Sequence, residues 1–439
     1  MRAYRGEILS VSHDPAGAGD AAVIHQPDGL LVVEDGLVLA RGAFADLAPR
    51  FAPHFVNAPI EPLRGLIVPG FIDTHVHYPQ TDRIAAHGAQ LLEWLDRHIF
   101  PAEAAFADRA HADSVAAFFL DELLRNGTTS ALVFATVREG SVDALFEAAL
   151  ARNMRVISGK ILMDRGPDFL RDSLASGRAE TEALIARWRG RGRLGYAVTP
   201  RFALTSSDAQ LADAGAILAA HPDILMQTHL AENRGECAAV AARFTDARDY
   251  LDVYDRFGLV GSRSVFAHGI YLGDRAMARM TQAGAGVAIC PTSNFFLGSG
   301  CFDMAQAEAA GLKLGLGTDV GAGTSFSLLH TMGAAYAACQ MRGHSLDPFR
   351  ALHLATTGGA RLLGIGDRVG SLAEGQEADF IVLDEQATPL LARRTAGASL
   401  AERLFTLQIL GDDRAVARTY IAGTLAHRRS HSSIGQETG

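Results

Sequence analysis

Leu66-Ile67-Val68-Pro69-Gly70-Phe71-Ile72-Asp73-Thr74-His75-Val76-His77 is the stretch on which the reading of the fold turns. It is an apolar run that ends in two histidines one residue apart. On a β-strand alternate residues face the same side, so His75 and His77 point the same way. Two imidazoles on one face, at the C-terminal end of a buried strand, can chelate one metal ion. An isolated His-x-His pair is more often a pair of loop residues. Its place at the end of a buried strand changes that reading, because closed parallel barrels carry their chemistry at that end.

Outward from this stretch the pattern repeats. Short apolar runs alternate with long helical segments such as 112–125, 142–152 and 208–220, as in successive βα units. Strands are expected at 66–75, 129–136, 155–162, 194–199, 224–228, 264–268, 286–290 and 313–317. Eight such units predict a (β/α)8, TIM-like barrel over residues 68–367. Residues 1–67 read instead as short strands, with a hairpin around Asp35-Gly36. Strand patterns return over 368–427, with a last hairpin near Gly423. The two chain ends are therefore expected to meet in one small β-sandwich domain, followed by a polar tail at 428–439.

Three more of the expected strands close with a residue of the same chemistry. The run at 224–228 is followed by His229, 264–268 ends in His268, and 313–317 is followed by Thr318-Asp319. A His/His/His/Asp set with an open position suits zinc, although iron or manganese accept the same donors. The remaining histidines, including His13, His87, His221 and His427, lack this placement and read as structural. Glu232 lies three residues after His229, where a turn of the chain brings its carboxylate back towards a metal-activated water as a general base.

The composition narrows the classes. The chain has 439 residues, 48% hydrophobic and 20% charged, with a net charge of −9. No basic excess is available to neutralise a phosphate backbone, so nucleic-acid binding is not expected. The four cysteines, Cys237, Cys290, Cys301 and Cys339, form no Cys-x-x-Cys pair. Scattered thiols fit a reducing compartment. No 18-residue apolar run and no secretory signal is visible, so a soluble, cytoplasmic protein without membrane contact is expected. The only lysines are Lys160 and Lys313.

The chain resembles the amidohydrolase superfamily and, within it, the guanine deaminases. The similar stretches are Pro69 through Gln80, Leu91-Leu92-Glu93-Trp94-Leu95 with Phe100-Pro101-Ala102-Glu103, Thr199-Pro200-Arg201-Phe202-Ala203 and Gln227 through Asn233. Ala267-His268-Gly269, Cys290 through Asn294 and Gly315 through Gly321 complete the set. The His-x-His and the strand-end His and Asp are common to the superfamily. Tyr78-Pro79-Gln80, Pro200-Arg201-Phe202 and Leu91 through Leu95 are particular to the guanine deaminases. Leu204-Thr205-Ser206-Ser207 and Gly321-Ala322-Gly323 depart from the usual pattern without touching a ligand position.

The resemblance implies one zinc ion per chain, held by His75, His77, His229 and Asp319. It implies that Glu232, His268 and Asp319 are catalytic, and that Gln80, Arg201, Phe202 and Trp94, with His229 and Glu232, bind guanine. Asp319 would take a proton from water and Glu232 would deliver one to N3, releasing ammonia and leaving xanthine. Arg201 would face the carbonyl oxygen O6, as its planar fork of donors suits. Binuclear relatives need a carboxylated lysine at the end of the fourth strand, where this chain has Thr199-Pro200, so one metal is expected. A homodimer is implied as well. Two alternatives stay open at this point: a deaminase of a related ring (8-oxoguanine, a pterin or an s-triazine), and a non-catalytic scaffold on the same barrel. Cytidine-type deaminases, which bind zinc through Pro-Cys-x-x-Cys, do not match.

Overall fold

The computed structural model describes residues 1–55, 59–88 and 90–430. Eight parallel strands stand side by side in chain order: Phe71–His77, Thr128–Phe134, Arg155–Gly159, Gly195–Pro200, Leu225–Leu230, Ser264–His268, Gly286–Ile289 and Lys313–Leu316. The ring closes between the first and last of them. Asp319 N donates to His75 O at 2.9 Å and His77 N to Val320 O at 3.0 Å. Helices cover the outside, so the strands are buried on both faces and leave almost no residue exposed. The expected (β/α)8 barrel is thus present.

Two expected strands are divided. The run 66–75 is not one strand: Glu61–Pro69 belongs to a separate sheet and Phe71–His77 to the barrel. Gly70 is the pivot. A Cβ there would lie 2.2 Å from Thr129 Oγ1, so no larger residue passes. The run 155–162 breaks at Lys160, after which Ile161–Leu162 pairs with the end of the fourth strand. The Lys160 ammonium is fully buried and donates to Asp172 Oδ1 at 2.6 Å. It braces the loop after the third strand.

Both chain ends meet in one small domain, as expected. It takes the form of one continuous seven-stranded mixed sheet. The order is Thr424–Arg428, Val416–Ile421, Phe380–Leu383, Glu61–Pro69, Arg2–Val11, Val23–Glu34 and Leu37–Ala43. The small sheet therefore runs on to Pro69, past the boundary expected after residue 67. Tyr4, Phe380 and Tyr420 pack ring on ring across it, with centroids 4.3 to 5.2 Å apart. Asp35 and Gly36 both take positive φ, 50° and 82°, which suits the tight hairpin expected there.

The C-terminal segment also holds two helices, Pro389–Thr395 and Leu400–Leu410. The second packs on the barrel helix Leu328–Met341, where the Tyr336 and Phe405 rings lie 4.8 Å apart. The expected tail begins at 428, but residues 431–439 lie outside the described residues. Among the described residues no helix is long and apolar enough to cross a membrane.

Candidate active site

The first barrel strand delivers His75 and His77 to its C-terminal end, with 1% and 2% of their surfaces exposed. The fifth strand delivers His229, and Asp319 follows the eighth. Their donor atoms converge. His77 Nε2 lies 3.2 Å from His75 Nε2 and 3.2 Å from His229 Nε2. Asp319 Oδ1 is 3.2 Å from His75 Nε2 and 3.3 Å from His77 Nε2. Donors placed tetrahedrally at zinc, with bonds of ~2.0–2.1 Å, stand about 3.3–3.4 Å apart. The four residues therefore fit one metal ion.

The electrostatics agree. Burial, reinforced by neighbouring imidazoles, holds His229 well below its ordinary range and His77 down to about 3. These rings stay neutral, the form that binds metal. Burial also acts on Asp319 and would raise it, but the imidazoles of His75 and His77 overcome this and hold it well below the usual carboxylate range. His229 Nδ1 lies 2.7 Å from Arg201 O, which as an acceptor leaves the Nε2 lone pair facing the cluster. Phe134 lies against all three rings, at 5.0, 4.5 and 4.8 Å. A second grouping, His75, His268, Cys290 and Asp319, shares two of these residues. Burial pushes the Cys290 thiol well above its ordinary range.

Asp73, under the cluster, ties the first strand to the eighth. It accepts from Thr318 N at 3.0 Å, from His75 N at 3.2 Å and from the Thr318 hydroxyl. Burial raises its pKa to about 7. Gly317 lets the two strands approach at the same level. A Cβ there would lie 2.8 Å from His75 Cβ and 2.9 Å from His75 O. Asp319 and His268 themselves adopt left-handed φ of 53° and 71°, a costly conformation for non-glycine residues that concentrates at functional sites.

Glu232 follows the fifth strand and is 3% exposed. Its backbone N–H donates to Glu236 Oε2 at 2.8 Å, as does that of Asn233 at 3.1 Å, which seats the start of helix Arg234–Arg243. Burial, then the charges of Glu236 and Asp319, raise the Glu232 carboxyl well above the usual range. His268 Nε2 stands 3.4 Å from Glu232 Oε2 and 3.7 Å from Asp319 Oδ2. Its other nitrogen, Nδ1, donates to Asn294 Oδ1 at 2.9 Å.

Beside the cluster, Arg201 follows the fourth strand, and Gln80 lies just after His77 in the turn Tyr78–Arg83. Both are buried and joined through Glu103. Arg201 Nη1 donates to the two Glu103 oxygens at 2.7 and 2.6 Å, and Gln80 Nε2 donates to Oε1 at 3.4 Å. Phe202 and Trp94 share one apolar cluster with Leu91, Phe100 and Leu170. Trp94 Nε1 donates to Ala86 O at 3.0 Å, so its ring pins the segment before it.

The profile of the Amidohydrolase family matches residues 66–426. The chain belongs to the amidohydrolase family. It is 44% identical to a guanine deaminase of Escherichia coli (strain K12), over 98% of each chain. A solved E. coli guanine deaminase superposes with a TM-score of 0.95, covering 98% of this chain and 100% of the other. A guanine deaminase from C. acetobutylicum, solved with guanine in its active site, is 26% identical with a TM-score of 0.88, covering 97% and 99%.

The fold of this amidohydrolase brings all the expected site residues to one end of the barrel. Three contributors carry no role in the sequence reading: Glu103, Asn294 and Glu236. Each acts through a partner distant in sequence or through the backbone. Glu236 alone had a local signal, as the acidic third residue of a helix capped by Asn233.

Proposed function

We propose that this chain deaminates guanine to xanthine and ammonia with one zinc ion per chain. The observation that carries the reading is the buried His75/His77/His229/Asp319 cluster with Glu232 and the Gln80–Glu103–Arg201 group beside it. The likeness to guanine deaminases over 98% of the chain supports the substrate.

His75, His77, His229 and Asp319 would hold the metal. When bound there, zinc acidifies water and supplies a nucleophile at neutral pH. Asp319 takes the water's proton as oxygen attacks C2 of the ring. Glu232, whose carboxyl is held well above the usual range by burial and then by its carboxylate neighbours, delivers a proton to N3. Two carboxyls whose environments push them in opposite directions divide the acid and base roles between them. His268, fixed by Asn294, orients the attacking oxygen. Arg201 receives O6, Gln80 the adjoining edge, and Phe202 with Trp94 closes apolar surface around the ring. Collapse of the tetrahedral carbon then breaks the bond between C2 and the amine: Asp319 returns its proton to the leaving nitrogen, Glu232 takes the proton of the new C2 hydroxyl, and ammonia departs to leave xanthine.

The free thiols support a reducing compartment, the cytoplasm, as the place of action. The homodimer implied by the resemblance belongs to the same proposal, and light scattering on the purified protein tests it. The decisive experiment is ammonia release from guanine by zinc-loaded protein, with 8-oxoguanine and adenine alongside. Xanthine and ammonia from guanine are expected. Zinc bound at one per chain without turnover of guanine would overturn the substrate and leave the metal site standing.

A further inference from the structure

Arg201 is the group that would meet the base carbonyl, yet an arginine side chain is long and has many rotamers. What holds it is Glu103, from the short helix Phe100–Ala104, almost a hundred residues earlier in the chain. The pair is sealed from solvent, with side-chain exposures of 2% and 0%. Both Glu103 oxygens engage the same nitrogen, Nη1. The Phe100 ring lies 5.3 Å from the guanidinium carbon and limits its swing on another side. Among the described residues, no hydrogen bond engages Arg201 Nη2 or Nε. Glu103 Oε1 also accepts from Gln80, whose own carbonyl accepts from Gly321 N at 3.2 Å. One buried carboxylate thus sets the position of both polar groups assigned to the base.

We propose that Glu103 is a positioning residue that sets discrimination at C6 of the purine. The inference rests on the guanine-deaminating reading. A guanidinium anchored at one end presents its remaining donors in a fixed direction. A carbonyl at C6 meets them, whereas an amine brings donor against donor and leaves buried groups unpaired, the situation in which a site rejects an analogue most strongly. Without the anchor, Arg201 can turn away and let the amine in. Glu103 touches no reacting atom, so its loss should alter selection more than the chemistry at C2.

The test compares guanine with 2,6-diaminopurine, which keeps the C2 amine and replaces the C6 carbonyl by an amine. Ammonia release gives kcat/KM for each substrate in the zinc-loaded wild type and in Glu103→Gln. The variant is expected to narrow the guanine preference at least about tenfold, chiefly through lost guanine activity and gained diaminopurine activity. Glu103→Asp keeps the charge with a shorter reach and is expected to fall between the two. It also carries the test if the Gln variant does not fold. A preference unchanged in whichever variant folds overturns the inference. Absence of ammonia from guanine with the wild type overturns the functional reading instead, a result visible before either variant is assayed.

Discussion

Gly317→Ala is the sharpest probe of how the metal site is built. The added methyl would sit 2.8 Å from His75 Cβ, 2.9 Å from His75 O and 3.1 Å from Cys290 Sγ. Carbon atoms in ordinary contact stand ~3.5–4.0 Å apart. Relief therefore needs a displacement of about 0.7 Å, and two of the three neighbours belong to the ligand-bearing strand. Metal–ligand distances tolerate only about ±0.2 Å. The His75 imidazole cannot follow that retreat and keep its place in a cluster spaced at 3.2 Å. Overpacking of this kind costs about 1–3 kcal/mol of stability. Disturbing the support of a ligand lowers metal affinity about 10–100-fold. The assay is zinc titration against a competing chelator, with ammonia release measured at saturating zinc. Wild-type zinc affinity together with wild-type turnover would refute the reasoning, because the methyl would then have been absorbed without moving His75.

Glu232→Gln is expected to bind zinc as the wild type does and to lose turnover by at least about 10²-fold, since it removes the proton carrier and no ligand; retained turnover would exclude Glu232 from the mechanism. Asn294→Ala frees His268 Nδ1 from its 2.9 Å bond, so kcat should fall while zinc content stays at one per chain, as metal analysis beside kinetics would record. His353 is buried and its pKa is pushed down to about 4, first by burial. The unfolded chain therefore takes up a proton below its ordinary range while the folded chain does not. Stability should fall as pH drops from about 6.5 towards 4, by on the order of 3 kcal/mol in full. His353→Gln should flatten that part of the denaturation profile, and an unchanged slope would assign the effect elsewhere.

Much of the site was legible because it sits where strand periodicity fixes direction. His75, His77, His229, His268 and Asp319 all close buried apolar runs, and a run's end is visible in one dimension. The pivot at Gly70 was not. Leu66 through Ile72 is apolar throughout, and nothing local says that its first part pairs with Phe380–Leu383 and its last with Thr128–Phe134. The helix Leu400–Leu410 carried a readable start, the Ser399/Glu402 capping box, inside a segment whose strands dominated the reading. Glu103 and Asn294 lie in stretches that resemble the guanine deaminases, but nothing local gave them a role. Their meaning lies in Arg201 and His268, and only the closed barrel brings these partners together.

The order of strands in the small sheet has a consequence for how the chain folds during synthesis. The strand Glu61–Pro69 leads through one glycine into the strand of His75 and His77, yet one of its neighbours is Phe380–Leu383. About three hundred residues must be made before that neighbour exists. At ~5–20 residues per second, Leu66, Ile67 and Val68 present an unpaired edge for tens of seconds. Such an edge invites pairing with other chains. The barrel must therefore assemble on a frame that is still open on one side, and the C-terminal strands act as a late clasp. Chains truncated before Phe380 should aggregate at this edge even though every metal ligand has already been made.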